Sequence, residues 1–152
     1  MKSCIHVLAI ALTAQVAVGQ TFTTLRSFGI MGNVSGSHPR SQLVQGPDGI
    51  LYGTASDGEG IVEGTVFKLQ SDGGGFAALK QFTNSVEGAN PEAGLVLDGD
   101  VLYGVTSGGG STGFGVVFKI NTDGTGYAVL KNFNDGAEDD GENPAAALCL
   151  SG

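Results

Sequence analysis

Leu51-Tyr52-Gly53-Thr54 and Gly64-Thr65-Val66-Phe67-Lys68-Leu69 return almost unchanged as Leu102-Tyr103-Gly104-Val105 and Gly115-Val116-Val117-Phe118-Lys119-Ile120. Both blocks recur at an offset of 51 residues. A period near 50 residues confines a chain to supersecondary units that stack or radiate, because one such unit cannot bury its apolar surface alone. The period constrains architecture and leaves chemistry open.

From Thr21 onward no helical period is found; apolar runs of five to seven residues alternate with Gly, Asp, Asn and Ser punctuation, which predicts short strands. Four segment types recur. Type A is Phe22–Phe28, Phe76–Phe82 and Tyr127–Phe133, with aromatic–x–x–Leu–x–x–aromatic spacing. Type B is Gln42–Gln45, Leu95–Leu97 and Leu148–Leu150, each after a proline (Pro39, Pro91, Pro144) that sets an extended entry. Type C is Ile50–Thr54 and Val101–Val105; type D is Thr65–Leu69 and Val116–Ile120. Gly46-Pro47-Asp48-Gly49 and Asp98-Gly99-Asp100 read as hairpin turns between B and C, while Asp72-Gly73 and Asp123-Gly124 turn each D into the next A.

The order A-B-C-D, A-B-C-D, A-B predicts ten antiparallel strands, divided into units at 22–75, 76–126 and 127–152. Four short strands per repeat describe a β-propeller blade. The expected fold class is all-β, with four-stranded antiparallel blades in about two and a half repeats; a β-sandwich is the alternative. A propeller ring needs about four to eight blades. The expectation is therefore a piece of a longer repeat protein, with an exposed type B edge able to pair with another chain.

Residues 1–19 read as a secretory signal: a basic start at Lys2, an apolar run from Ile5 to Val18, and small residues at Ala17 and Gly19. The run is short for a membrane span, so residues 20–152 are expected to be secreted or held in the cell envelope, without membrane insertion after cleavage. Cys149 would then be the sole cysteine, which excludes an intrachain disulfide and fits a small buried hydrophobe. Six Lys/Arg against fifteen Asp/Glu leave this region a net charge of −9. Nucleic acid is excluded as a partner on that ground.

The Leu-Tyr-Gly-Thr block at 51–54, Gly-Thr-Val-Phe-Lys-Leu at 64–69, Asp72-Gly73, Leu79-x-x-Phe82 and Pro91-x-x-x-Leu95 resemble a bacterial tandem repeat, that of the choice-of-anchor GloVer-type proteins. Ser107-Gly108-Gly109-Gly110 before Gly115 in the second copy is similar to it too. The resemblance covers essentially everything after the signal. It implies export and a propeller-like repeat scaffold, and it brings no catalytic residues.

Residues repeated at one blade position read as structure. Tyr52 and Tyr103, Phe67 and Phe118, Phe82 and Phe133 are expected in the core; Lys68, Lys119, Lys80 and Lys131 are expected on solvated edges. Unrepeated features are the functional candidates. Asp135, Glu138, Asp139, Asp140 and Glu142 crowd the loop from Asn134 to Asn143, where oxygen ligands suit a hard cation such as Ca²⁺, although the spacing is not that of an EF-hand. Asp57, Glu59 and Glu63 form a weaker set of the same kind. His38, beside Arg40, stands in the first A–B loop without a repeat counterpart, and no Gly-x-Ser-x-Gly elbow accompanies it. Asn33-Val34-Ser35 matches a glycosylation sequon. The expected function is a non-catalytic exported repeat module that binds a ligand or cell-surface component. The alternative is a fragment of an extracellular glycan-acting hydrolase or lyase.

Overall fold

A computed structural model describes residues 22–28, 36–58, 60–83, 85–134 and 140–150. Residues 1–19, expected to be a signal, and the sequon match at 33–35 lie outside the described residues. Eight strands run in order: β1 (Val44–Gln45), β2 (Leu51–Ala55), β3 (Thr65–Leu69), β4 (Ala77–Gln81), β5 (Val96–Asp98), β6 (Val101–Thr106), β7 (Val116–Asn121) and β8 (Ala128–Asn132), with one 3₁₀ turn at Ser85–Glu87. They form two four-stranded antiparallel sheets, β1-β2-β3-β4 and β5-β6-β7-β8. Among the described residues no helix is long and apolar enough to cross a membrane.

The fold is all-β, as the repeat pattern requires, but the sheets are phased differently from A-B-C-D. Each joins a B, C and D segment to the A segment that follows. Ten strands were expected and eight are found among the described residues, because Phe22–Phe28 and Leu148–Leu150 carry no ladder. The predicted turns form. Gly49 N–H donates to Gly46 O at 3.0 Å and Asp48 Oδ1 accepts from Ile50 N–H, while Gly73 and Gly124 close the D-to-A turns at φ +88° and +90°.

The A segments explain their own odd spacing. Strict alternation would send Phe76 and Phe82 to one face of the sheet. The register instead shifts, with Val66 opposite Lys80 and Phe67 opposite Ala78, so Leu79 is an extra residue. This β-bulge turns Phe76 toward one face and Phe82 toward the other. The second sheet repeats the shift at Leu130.

One face of each sheet, here the leading face, carries an aromatic triad. Phe28, Phe67 and Phe76 meet on the first sheet, and Phe82, Phe118 and Tyr127 on the second, with ring centroids 5.0 to 6.2 Å apart. The first ring of each triad arrives from the A segment of the preceding unit, so Phe82 ties the sheets together. Tyr52, Val66 and Phe82 from the first sheet and Leu95, Leu102, Val116, Phe118 and Ile120 from the second unit form one core cluster.

Lys80 is not on a solvated edge. Its Nζ lies 2.6 Å from Glu87 Oε2 and 4.6 Å from the Tyr127 ring centroid, between the sheets. Arg26 repeats the arrangement over Phe76 at 4.1 Å. A cation over an aromatic face is stabilising when desolvated, which recruits these side chains inward. Tyr127 Oη donates to the Glu87 carbonyl. Burial, and then the Glu87 carboxylate, push the Tyr127 phenol well above its ordinary value; burial and Asp48 push Tyr52 the same way.

These shifts set an alkaline limit on stability. Both phenols keep their protons in the fold at pH values where the unfolded chain, with tyrosine near 10, loses them. The stabilisation is whole below pH 10 and declines as pH rises above it. Each tyrosine contributes at most about 1.4 kcal/mol per pH unit, less where solvent screens a half-enclosed ring. Denaturant unfolding followed from pH 8 to 11.5 is expected to show that fall, and Tyr127→Phe to flatten part of it.

Candidate functional site

Three type B segments converge. Arg40–Val44, Glu92–Val96 and Ala145, Ala147 and Leu148 line one cleft of about 490 Å³. The buried Thr54 hydroxyl sits 2.8 Å from Ser41 Oγ and donates to Ala93 O at 3.1 Å, joining the first segment to the second. Each repeat proline seats its segment: Cβ atoms on Gly64 and Gly115 would meet Pro91 Cδ at 2.3 Å and Pro144 Cδ at 2.8 Å. These glycines, at φ +125° and +102°, leave room for the proline of the next copy.

Within the cleft the copies differ where the side chains line it. Arg40, Glu92 and Ala145 are equivalent positions, as are Gln42, Gly94 and Ala147, while Leu43, Leu95 and Leu148 stay leucine. Arg40 Nη1 and Glu92 Oε1 lie 3.9 Å apart, a loose and largely exposed pair.

His38 does have a counterpart. It precedes Pro39 at φ +56°, as Asn90 precedes Pro91 at +55° and Asn143 precedes Pro144 at +53°. Asparagine tolerates this left-handed backbone readily, and histidine is also enriched there. The Asn90 carbonyl accepts from Ser107 N–H at 3.1 Å and the His38 carbonyl from Ser56 N–H at 3.3 Å, so the position is a structural joint.

The His38 side chain does not build a hydrolytic triad. Ser37 Oγ at 3.2 Å and Asp57 Oδ2 at 3.1 Å both meet the same ring nitrogen, Nδ1. Acyl-transfer chemistry needs the hydroxyl on one nitrogen and the carboxylate on the other. Asp57 is therefore paired with His38, and its Oδ1 lies 3.5 Å from Asn90 Nδ2. Glu63 is half-buried and its carbonyl accepts from Asn90 N–H at 2.6 Å; Glu59 lies outside the described residues.

Of the acidic-loop residues, Asp135, Glu138 and Asp139 lie outside the described residues, and Glu142 is exposed. Asp140 Oδ2 pairs with Lys131 Nζ at 2.8 Å, and Oδ1 accepts from Asn134 N–H at 2.8 Å. The lysine contact, then the backbone donor, hold this carboxyl below the usual range. A cation on this loop has to compete with Lys131 for Asp140. Cys149 is exposed, contrary to the buried role expected of it, because the third B segment runs without a ladder.

A family model for the Gloeobacter/Verrucomicrobia repeat matches residues 12–152. The chain belongs to that repeat family. The match agrees with the resemblance carried by the Leu-Tyr-Gly and Val-Phe-Lys blocks, and the structure gives the family blocks a physical meaning. In this Gloeobacter/Verrucomicrobia repeat the glycine of Leu-Tyr-Gly pairs across the ladder with the phenylalanine of Val-Phe-Lys, as Gly53 with Phe67 and Gly104 with Phe118. No curated protein matches the chain.

Proposed function

We propose that this chain is a non-catalytic, exported repeat module whose sheets are blades of a β-propeller and whose cleft binds a ligand or cell-surface component. The convergence of three equivalent B segments on one cleft carries the reading. Innermost strands of successive blades meet in this way around an axis, whereas a sandwich of two facing sheets has no reason to bring the same strand of every unit to one place. Of the leucines common to the copies, Leu95 serves the core. The lining residues that differ, Arg40 against Glu92 against Ala145, give the cleft a chemically varied wall, as a recognition surface needs.

Binding of the chain to arrays of extracellular polysaccharides and peptides tests the proposal. The expected result is saturable binding without turnover, weakened at least tenfold by combined Arg40→Ala and Glu92→Ala. Turnover of a glycan that is abolished by changing one loop carboxylate would overturn it in favour of an enzyme.

A further inference from the structure

The ladder between β1 and β2 decides which main-chain groups of the first B segment stay free. Gly46 N–H donates to Ile50 O at 2.8 Å, which makes that a hydrogen-bonded pair. Bonded and unbonded pairs alternate along an antiparallel ladder, so Val44 bonds to Tyr52 while the N–H and C=O groups of Leu43 and Gln45 turn away from β2. β1 is the outer strand of its sheet on that side, and among the described residues nothing bonds to those groups. This edge is neither face of the sheet. Phe28 and Phe76 pack with Phe67 on one face, and the core shared with the second sheet covers the other. The edge at Leu43 borders the cleft instead, with the other two B segments across from it.

The lining of the cleft suits one class of ligand. Ala93, Gly94, Ala145 and Ala147 stand around the edge, and no aromatic ring lines the cleft. Such small side chains leave width for another main chain, whereas a saccharide finds no ring on which to stack its C–H face. Arg40 opens the segment at its N-terminal end and is the cation of this lining. Glu92 Oε1, at 3.9 Å, is beyond hydrogen-bond reach of Arg40 Nη1, so the guanidinium fork keeps donors for a carboxylate.

We infer that the cleft takes an extended peptide, which pairs antiparallel with the Leu43–Gln45 edge and sets its C-terminal carboxylate on Arg40; the inference rests on the cleft being the binding site. Every strand pair of the two sheets is antiparallel. In that direction the C-terminus of an added strand arrives at the Arg40 end. Main-chain bonds to the edge supply affinity, and the small-walled cleft selects small side chains at alternate positions.

Calorimetric titration of the chain with pentapeptides chosen from an array, each made with a free and with an amidated C-terminus, tests this. The tightest pentapeptide is expected to lose at least tenfold in affinity on amidation. Methylating its backbone nitrogens one at a time is expected to cost at least tenfold at alternate residues and little at those between, because only every second N–H meets the edge. Leu43→Pro removes the outward N–H without touching a bond to β2, and is expected to weaken binding by as much. Circular dichroism verifies its folding, and the methylation series, made on the peptide, carries the test should that variant unfold. Binding that ignores amidation, a methylation series without the period of two, or a folded Leu43→Pro that binds like the parent overturns the inference. A chain that binds a saccharide and no pentapeptide also overturns it but leaves the binding module standing, whereas a chain that binds neither overturns both.

Discussion

Gly104→Ala is expected to lower the unfolding free energy by about 3 kcal/mol, the upper part of the range for overpacking a filled core. A Cβ on Gly104 would stand 2.6 Å from Phe118 Cζ and 2.8 Å from Leu95 Cδ2. Phe118 is fully buried and held between Phe82 and Tyr127, so its ring has nowhere to retreat. The glycine backbone is otherwise ordinary here, which isolates sterics as the cause. Urea unfolding gives the number, and the double variant Gly104→Ala with Phe118→Leu supplies the control. If the ring is the obstacle, the double variant loses less than the sum of the two singles. Strict additivity would remove the explanation offered for the Leu-Tyr-Gly and Val-Phe-Lys blocks.

That pairing shows what was legible in the sequence and what was not. The 51-residue offset, the C and D strands and the glycine turns could be read because each rests on residues within one strand or one turn. The bulges at Leu79 and Leu130 were not legible: aromatics at i and i+6 fit an uninterrupted strand as well as a bulged one, and only the facing strand decides. His38 was missed as a counterpart of Asn90 and Asn143 although all three precede the aligned prolines Pro39, Pro91 and Pro144, because histidine and asparagine look unlike until their common left-handed backbone is seen. Lys80 read as an edge residue since a lysine one bond from solvent and a lysine over Tyr127 have the same sequence signature. The cleft was hidden for a related reason. Its chemically varied lining, Arg40, Glu92 and Ala145 with Gln42, Gly94 and Ala147, falls at positions where the copies disagree, and a search for repetition passes over them.

Phe82→Ala is expected to cost about 4 kcal/mol, and the equivalent Phe133→Ala about half of that or less. Emptying a fully buried phenylalanine site costs roughly 3–5 kcal/mol, through lost transfer energy and the cavity left behind. Phe82 is such a site, with no exposed surface and with Phe118 and Tyr127 at 5.7 and 6.1 Å. Phe133 ends its A segment in the same way, its N–H bonded to Gly115 O at 3.0 Å as that of Phe82 is to Gly64 O at 2.9 Å, but its ring is only half-buried. The two substitutions thus remove the same side chain from the same local structure and differ only in whether a following sheet covers it. The ratio of the two losses reports how much of a repeat's stability comes from its neighbour. Equal losses would mean that each sheet stands on its own core. A ratio near two or above means that stability in this repeat is made between sheets, so the last sheet of any array is the weakest until something covers its face.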